Sequence, residues 1–233
     1  GGFVYPAFQV SAGPRVQVSA LELVGTPGTK PGLLERVAGF TPCGYSPVTI
    51  ARWRQSLEQS GLVVVDSQTI VGDDRAYRVR FGVTGRRVNS ASGVAGYSPS
   101  DRKLTGLLLA SFRNLFDTGR RLEAGWQSAY ARTSYRLSYT EPWVIGTSID
   151  VTVSARQQTI DTTSAQTNLA LSARARAAVW TTVSFETGYD RFTDAVSRTS
   201  ANVVWAGTGV LLDSRDFPAN PRSGVRLSAL TKV

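Results

Sequence analysis

The 233-residue sequence contains no histidine, no methionine and one cysteine, Cys43. Without histidine, imidazole-activated nucleophiles and histidine metal ligation are excluded. A single thiol allows no disulfide within the chain and gives a cysteine zinc site nothing to build on. Cys43 lies between Pro42 and Gly44, in an expected loop, as a bystander thiol. The missing initiator methionine, and an N-terminus without a charged-then-apolar leader, read as a processed chain or a segment of a longer one. Long apolar runs are absent as well. Nothing approaches the roughly 18 residues of a membrane helix, and the most apolar stretch, 104–112, is about as long as one membrane strand. No glycine-rich phosphate loop with lysine occurs. The sequence therefore predicts a protein that is not an enzyme and needs no cofactor.

Acidic residues are also scarce, 17 against 26 basic ones, for a net charge of +9. Such a surface suits nucleic acid, anionic lipid headgroups or an acidic partner. The arginines are scattered through every segment, which argues against nucleic acid. The tight pairs Arg86–Arg87 and Arg120–Arg121 fall at segment junctions, where a solvated turn or a headgroup contact is the ordinary role. Hydrophobic residues make up 42% and mean hydropathy is −0.10, values typical of soluble proteins. A membrane barrel gives the same average, because lipid-facing and interior residues alternate along each strand.

The first third is mixed. Residues 15–25 alternate, with Val16, Val18, Leu21 and Leu23 as core candidates, and a Gly-Thr-Pro-Gly turn follows. Pro31 opens a short helical pattern over 30–40, with Leu33, Leu34 and Val37 on one face. A stronger helix follows: Ser46 caps it, Pro47 takes the first position, and Ile50, Trp53 and Leu57 form its stripe. Gly61 ends it. Two strands, 62–71 and 76–83, are joined by a turn at Gly72-Asp73-Asp74. Two helices on one face of a small mixed sheet would bury these stripes.

From Arg86 onward the pattern is of strands of about ten residues with alternating hydropathy, separated by turns. Leu122, Ala124 and Trp126 share one face, opposite Arg121, Glu123 and Gln127; Tyr135, Leu137 and Tyr139 oppose Arg136, Ser138 and Thr140. Ile149, Val151, Val153 and Ala155 stand against Asp150, Thr152, Ser154 and Arg156, and Asp150 is expected to pair with Arg156. Leu169, Leu171 and Ala173 oppose Arg174 and Arg176, while Val183, Phe185, Thr187 and Tyr189 oppose Glu186 and Asp190. Two architectures fit: a soluble sandwich with a closed core, and a membrane barrel with a polar interior. Aromatics near strand ends (Tyr97, Trp126, Tyr139, Trp143, Trp180, Tyr189, Trp205) suit the interfacial girdles of a barrel.

Three strings resemble a known superfamily. The first runs from Leu104 through Asn114, Leu115, Phe116, Asp117, Thr118 and Gly119 into Arg120. The second ends a strand with Glu141-Pro142-Trp143. The third, and most specific, places Asp213, Arg215, Asp216, Pro218, Pro221 and Gly224 in a twelve-residue hairpin. Together they resemble the POTRA-plus-barrel outer-membrane assembly and translocase superfamily, which includes BamA-like and TamA-like proteins and the two-partner-secretion transporters. Asp117 stands where that family usually has glycine. The chain also stops at Val233 without the family's Arg-Gly-aromatic motif. The resemblance implies an α+β POTRA domain followed by the antiparallel strands of a partial transmembrane β-barrel, eight or nine in number. Residues 1–13 would end a preceding POTRA, 14–84 form a POTRA domain, and 85–233 form the N-terminal part of the barrel.

Function follows from the resemblance as an expectation. The protein would sit in the bacterial outer membrane, with its N-terminal domain in the periplasm, and assemble or insert other proteins. Unfolded clients would add to the POTRA edge strand 62–71, at Leu62, Val63, Val64, Val65 and Asp66. They would enter the membrane through a seam whose first strand carries Asn89, Ser90, Ala91, Ser92, Gly93, Val94, Ala95 and Gly96. Small residues there hold register weakly; a strand against a crowded wall is the other reading. Expected partners are outer-membrane lipids, unfolded outer-membrane or secreted clients, and accessory subunits or a second chain completing the barrel. A two-partner-secretion pore and a passive porin are the rival readings. Asp213 and Asp216 flank Arg215, and turn chemistry favours a charge-stabilised hairpin over acid/base or metal chemistry.

Overall fold

The computed structural model describes residues 16–26, 28–72, 76–99, 102–160, 163–178, 180–215 and 220–233. Asp73 and Asp74 of the expected turn, Asp216 and Pro218 of the hairpin, and the stretch 1–13 lie outside the described residues. The chain divides into two units, Gly1–Arg86 and Arg87–Val233. Among the described residues, no helix is long and apolar enough to cross a membrane.

The first unit runs β1 (Gln17–Thr26), α1 (Pro31–Ala38), β2 (Cys43–Gly44), α2 (Pro47–Gln59), β3 (Val63–Gly72) and β4 (Tyr77–Gly85). Its sheet has the order β2-β1-β4-β3, with β1 and β4 parallel and the other pairs antiparallel. The two-residue β2 holds Cys43, which the sequence reading left in a loop. In α2 the Ser46 side chain accepts a hydrogen bond from the Thr49 amide at 3.4 Å, with Pro47 in the first turn. Ile50, Trp53 and Leu57 then face inward, three and four residues apart. They meet Leu34 of α1 and Val18, Val63, Val79, Phe81 and Val83 of the sheet in one closed core. The Phe40 ring meets the Trp53 ring edge-on, with centroids 5.1 Å apart.

The second unit is a single antiparallel sheet. Its strands are β5 (Ser90–Ser98), β6 (Lys103–Leu115), β7 (Arg120–Ala129), β8 (Arg132–Glu141), β9 (Ile149–Ile160), β10 (Ser164–Ala178), β11 (Thr181–Asp194), β12 (Thr199–Asp213) and β13 (Arg226–Lys232). They pair strictly in chain order, so that β5 and β13 form the two edges of an open sheet. The one helical feature among the described residues of this unit is a 3-10 turn, Val144–Gly146.

Among the described residues of the second unit, none forms a second layer over this sheet. Among the described residues, Trp205 and the rim residue Pro142 are the buried apolar side chains of the second unit; the others belong to the first. That removes the sandwich reading, whose apolar faces must meet each other in a core.

Candidate functional site

The cross-strand register shows what the sheet offers instead. Side chains directly opposite each other share a face. One continuous row reads Gly93, Leu108, Trp126, Tyr135, Gln157, Thr167, Arg191 and Asn202 across eight strands. The neighbouring row reads Ala91, Ala110, Ala124, Leu137, Ala155, Leu169, Tyr189 and Val204. From β7 to β11 each strand thus turns its apolar set to the same side, as the alternation predicts. Leu108, Leu137, Leu169 and Phe185 are about half exposed there, at 48–51%. A groove of about 830 Å3 draws most of its lining from this face, including Ala91, Leu108, Trp126 and Leu137. The charges on this face, Arg120, Glu141 and Arg191, lie near strand ends. Arg120 and Glu141 neutralise each other at 2.8 Å, and the Tyr139 hydroxyl donates to the same carboxylate at 2.5 Å.

The opposite face is polar in the middle of the sheet and apolar toward its edges. Glu123, Arg136, Ser138, Arg156, Asn168, Arg174, Glu186 and Asp190 occupy the centre. The expected Asp150–Arg156 pair does not form; Asp150 meets Arg121 at 3.8 Å instead. Six residues along a strand span roughly 20 Å, too far for any side-chain contact. Trp205 is a second correction, since it lies on this polar face and not in the girdle. Its indole donates to Asp190 at 2.8 Å, Asn168 donates to the other oxygen of that carboxylate at 2.7 Å, and the Lys232 ammonium sits 3.4 Å from the ring centroid. The indole lies in a notch beside Gly188, where a Cβ would approach within 2.4 Å of the ring. The sequence signal was the glycine set Gly188, Gly207 and Gly209, which share this face.

The resemblance motifs gather at one rim, where β5, β7, β9, β11 and β13 begin and β6, β8, β10 and β12 end. The buried Asn114 accepts the Gly119 amide at 2.8 Å, closing a turn in which Phe116, Asp117 and Gly119 all have positive φ. Leu115 pairs with Arg120 at the mouth of that turn. Pro142 is buried directly after Glu141, and Trp143 adopts the left-handed conformation. Asp213 holds Arg215 at 2.8 Å and Arg226 at 3.9 Å. Gly224 has φ +96°, and a Cβ there would meet the Ser214 carbonyl at 2.4 Å. Pro221 lies in the same exposed hairpin. These residues shape turns and bring no reactive groups together.

The candidate seam strand β5 is an edge, paired with β6 alone among the described strands. Ser90 to Gly96 are all exposed; Asn89 precedes the strand and accepts the Arg113 amide at 3.2 Å. Its two glycines differ. A Cβ at Gly93 would press within 2.4 Å of Leu108 Cδ2 and 2.7 Å of the Leu107 carbonyl, whereas Gly96 has only Thr105 Oγ1 at 3.7 Å. In the first unit β3 is likewise an edge strand. Leu62, Val63 and Val65 are buried in the core, Val64 is half-buried, and Arg54 donates to the Val65 carbonyl at 3.4 Å. Side chains are exposed along the edge from Asp66 through Gly72, so that Asp66 alone of the five candidate residues is exposed.

No protein-family model matches the sequence, and no curated protein matches it. Among solved structures, the chain is similar to BamA from Haemophilus ducreyi lacking POTRA domains 1-3, at 13% identity and a TM-score of 0.61. The match covers 95% of this chain and 49% of that one, so the chain spans about half the length of that structure. What the two share is the fold, a mostly antiparallel sheet of the BamA barrel type, here open between its edge strands.

Proposed function

We propose that this chain is the periplasmic and first membrane portion of an outer-membrane protein that inserts or assembles other proteins there, without enzymatic chemistry. One observation carries the reading: nine strands present an apolar face that no protein layer covers. In water such a face is an aggregation surface, whereas in a bilayer it is the wall of a barrel. The ion-paired rim residues and the Tyr139 hydroxyl suit the headgroup boundary.

In this reading the first unit is a POTRA-type domain, and its open edge, Asp66 through Gly72, takes up extended client segments by main-chain pairing. The edge strand β5 is one side of a seam. Unpaired backbone groups in lipid cost several kcal/mol each, so β5 and β13 must find partner strands. Further strands of the same polypeptide, a client strand, a second chain or accessory subunits would supply them. The work comes from client folding and lipid insertion.

Liposomes containing the purified protein should accelerate membrane insertion of an unfolded outer-membrane client. Equal rates with and without the protein would remove the proposal.

A further inference from the structure

The polar face contains a pair of like charges that folding alone does not explain. Arg136 of β8 and Arg156 of β9 are direct cross-strand partners, both exposed. Like charges directly opposite one another are destabilising. Four cations of this unit have found carboxylates: Arg120 has Glu141, Arg121 has Asp150, and Arg215 and Arg226 share Asp213. Among the described residues, neither Arg136 nor Arg156 makes an ion pair; Arg156 donates to Gln158 at 3.5 Å.

The surroundings keep the pair open. Continuing along the same row, Arg156 faces Asn168, whose amide is committed to Asp190. Asp190 in turn is held by Trp205, so that carboxylate is already occupied. On the other side Arg136 faces Gly125, whose empty side-chain position is filled by the tip of Leu109, so no carboxylate stands there. Two planar forks standing one strand spacing apart, with no carboxylate directly across from either, match carboxylates presented in sequence.

We propose that Arg136 and Arg156 bind carboxylates of an acidic polypeptide segment on the polar face of the sheet. Exposed guanidiniums hold a single small ion weakly against water. A run of carboxylates engages both at once, and this selects an acidic chain over a free anion. The inference rests on the reading that this face is turned away from lipid.

The test uses the full chain in detergent micelles and fluorescein-labelled hexaglutamate, read by anisotropy. The double variant Arg136→Gln/Arg156→Gln should weaken binding about tenfold or more, as expected for two lost charge-assisted contacts. Arg52→Gln/Arg78→Gln removes the same charge from the first unit and should leave affinity within about twofold, since the proposed site is built within the second unit and exposed charges outside it are screened. Removing the repulsion should also raise the urea midpoint of the Arg136→Gln/Arg156→Gln variant. In the unaltered chain, bound hexaglutamate should protect Arg136 and Arg156 from phenylglyoxal while Arg52 and Arg78 remain reactive, a readout that needs no variant to fold. Equal losses in the two double variants, no protection, or displacement by inorganic phosphate as effective as by unlabelled peptide would each overturn the proposal. Because no bilayer is present, such a failure leaves the lipid-facing reading to its own test.

Discussion

The two glycines of β5 make opposite predictions from one strand. At Gly93 an added Cβ lies 2.4 Å from Leu108 Cδ2, 2.7 Å from the Leu107 carbonyl oxygen and 3.2 Å from Leu108 Cα. The leucine tip can rotate away, but the backbone of β6 cannot, so the strands must separate locally. Overpacking of this kind costs about 1–3 kcal/mol. At Gly96 the nearest atom is Thr105 Oγ1 at 3.7 Å, an ordinary contact, and neither position has a positive φ. Alanine there removes unfolded-chain entropy without strain, a gain of about 0.4–1 kcal/mol. Gly93→Ala and Gly96→Ala should therefore differ by roughly 1.4–4 kcal/mol in the pairing of β5, a factor of tenfold or more. Hydrogen exchange of the β5 amides in micelles reads local opening directly. Protection should fall in Gly93→Ala and rise in Gly96→Ala. If the seam must open for clients, Gly96→Ala should also slow their insertion into liposomes. Indistinguishable β5 protection in the two variants would refute the packing argument at its root.

Phe81→Ala should destabilise the first unit by about 3–5 kcal/mol, because Phe81 is fully buried between helices and sheet. Its urea transition should shift while that of the second unit stays in place. Trp205→Leu should cost about 1–3 kcal/mol in the second unit by depriving Asp190 of its indole donor, read as a lower urea midpoint in micelles. Asn114→Ala leaves the Gly119 amide unsatisfied in a buried turn and should cost about 1–3 kcal/mol, with faster exchange at the β6–β7 hairpin.

Strand identity was legible wherever charge marked one face. In β9, Asp150 and Arg156 bracket the polar set, so the apolar set Ile149, Val151, Val153 and Ala155 could be read directly. In β12 both faces are small or apolar: Val204, Ala206 and Val210 on one side, Val203, Trp205 and Leu211 on the other. Nothing local told which side Trp205 took, and only the notch at Gly188, contributed by a neighbouring strand, decided it. Partner choice was illegible for the same reason. Asp150 finds Arg121 across strands, a contact fixed by register and not by spacing along the chain. In the first unit the helix stripes were plain from periodicity. The parallel pairing of β1 with β4 was not, because those strands lie 50 residues apart in sequence. The edge strand β3 was placed correctly in the sheet order. Of the five residues named on it, Leu62, Val63 and Val65 turn their side chains into the core and Asp66 is exposed, at the bulge between Val65 and Ser67.

The two tryptophans on opposite faces of the sheet offer the most direct test of the central claim. Single-tryptophan versions retaining Trp126 or Trp205, with the others changed to Phe, would be placed in bilayers with brominated acyl chains. The Trp126 emission should be quenched by the lipid and that of Trp205 spared. Equal quenching of both, or stronger quenching of Trp205, would contradict an apolar face turned to lipid and a polar face turned away from it.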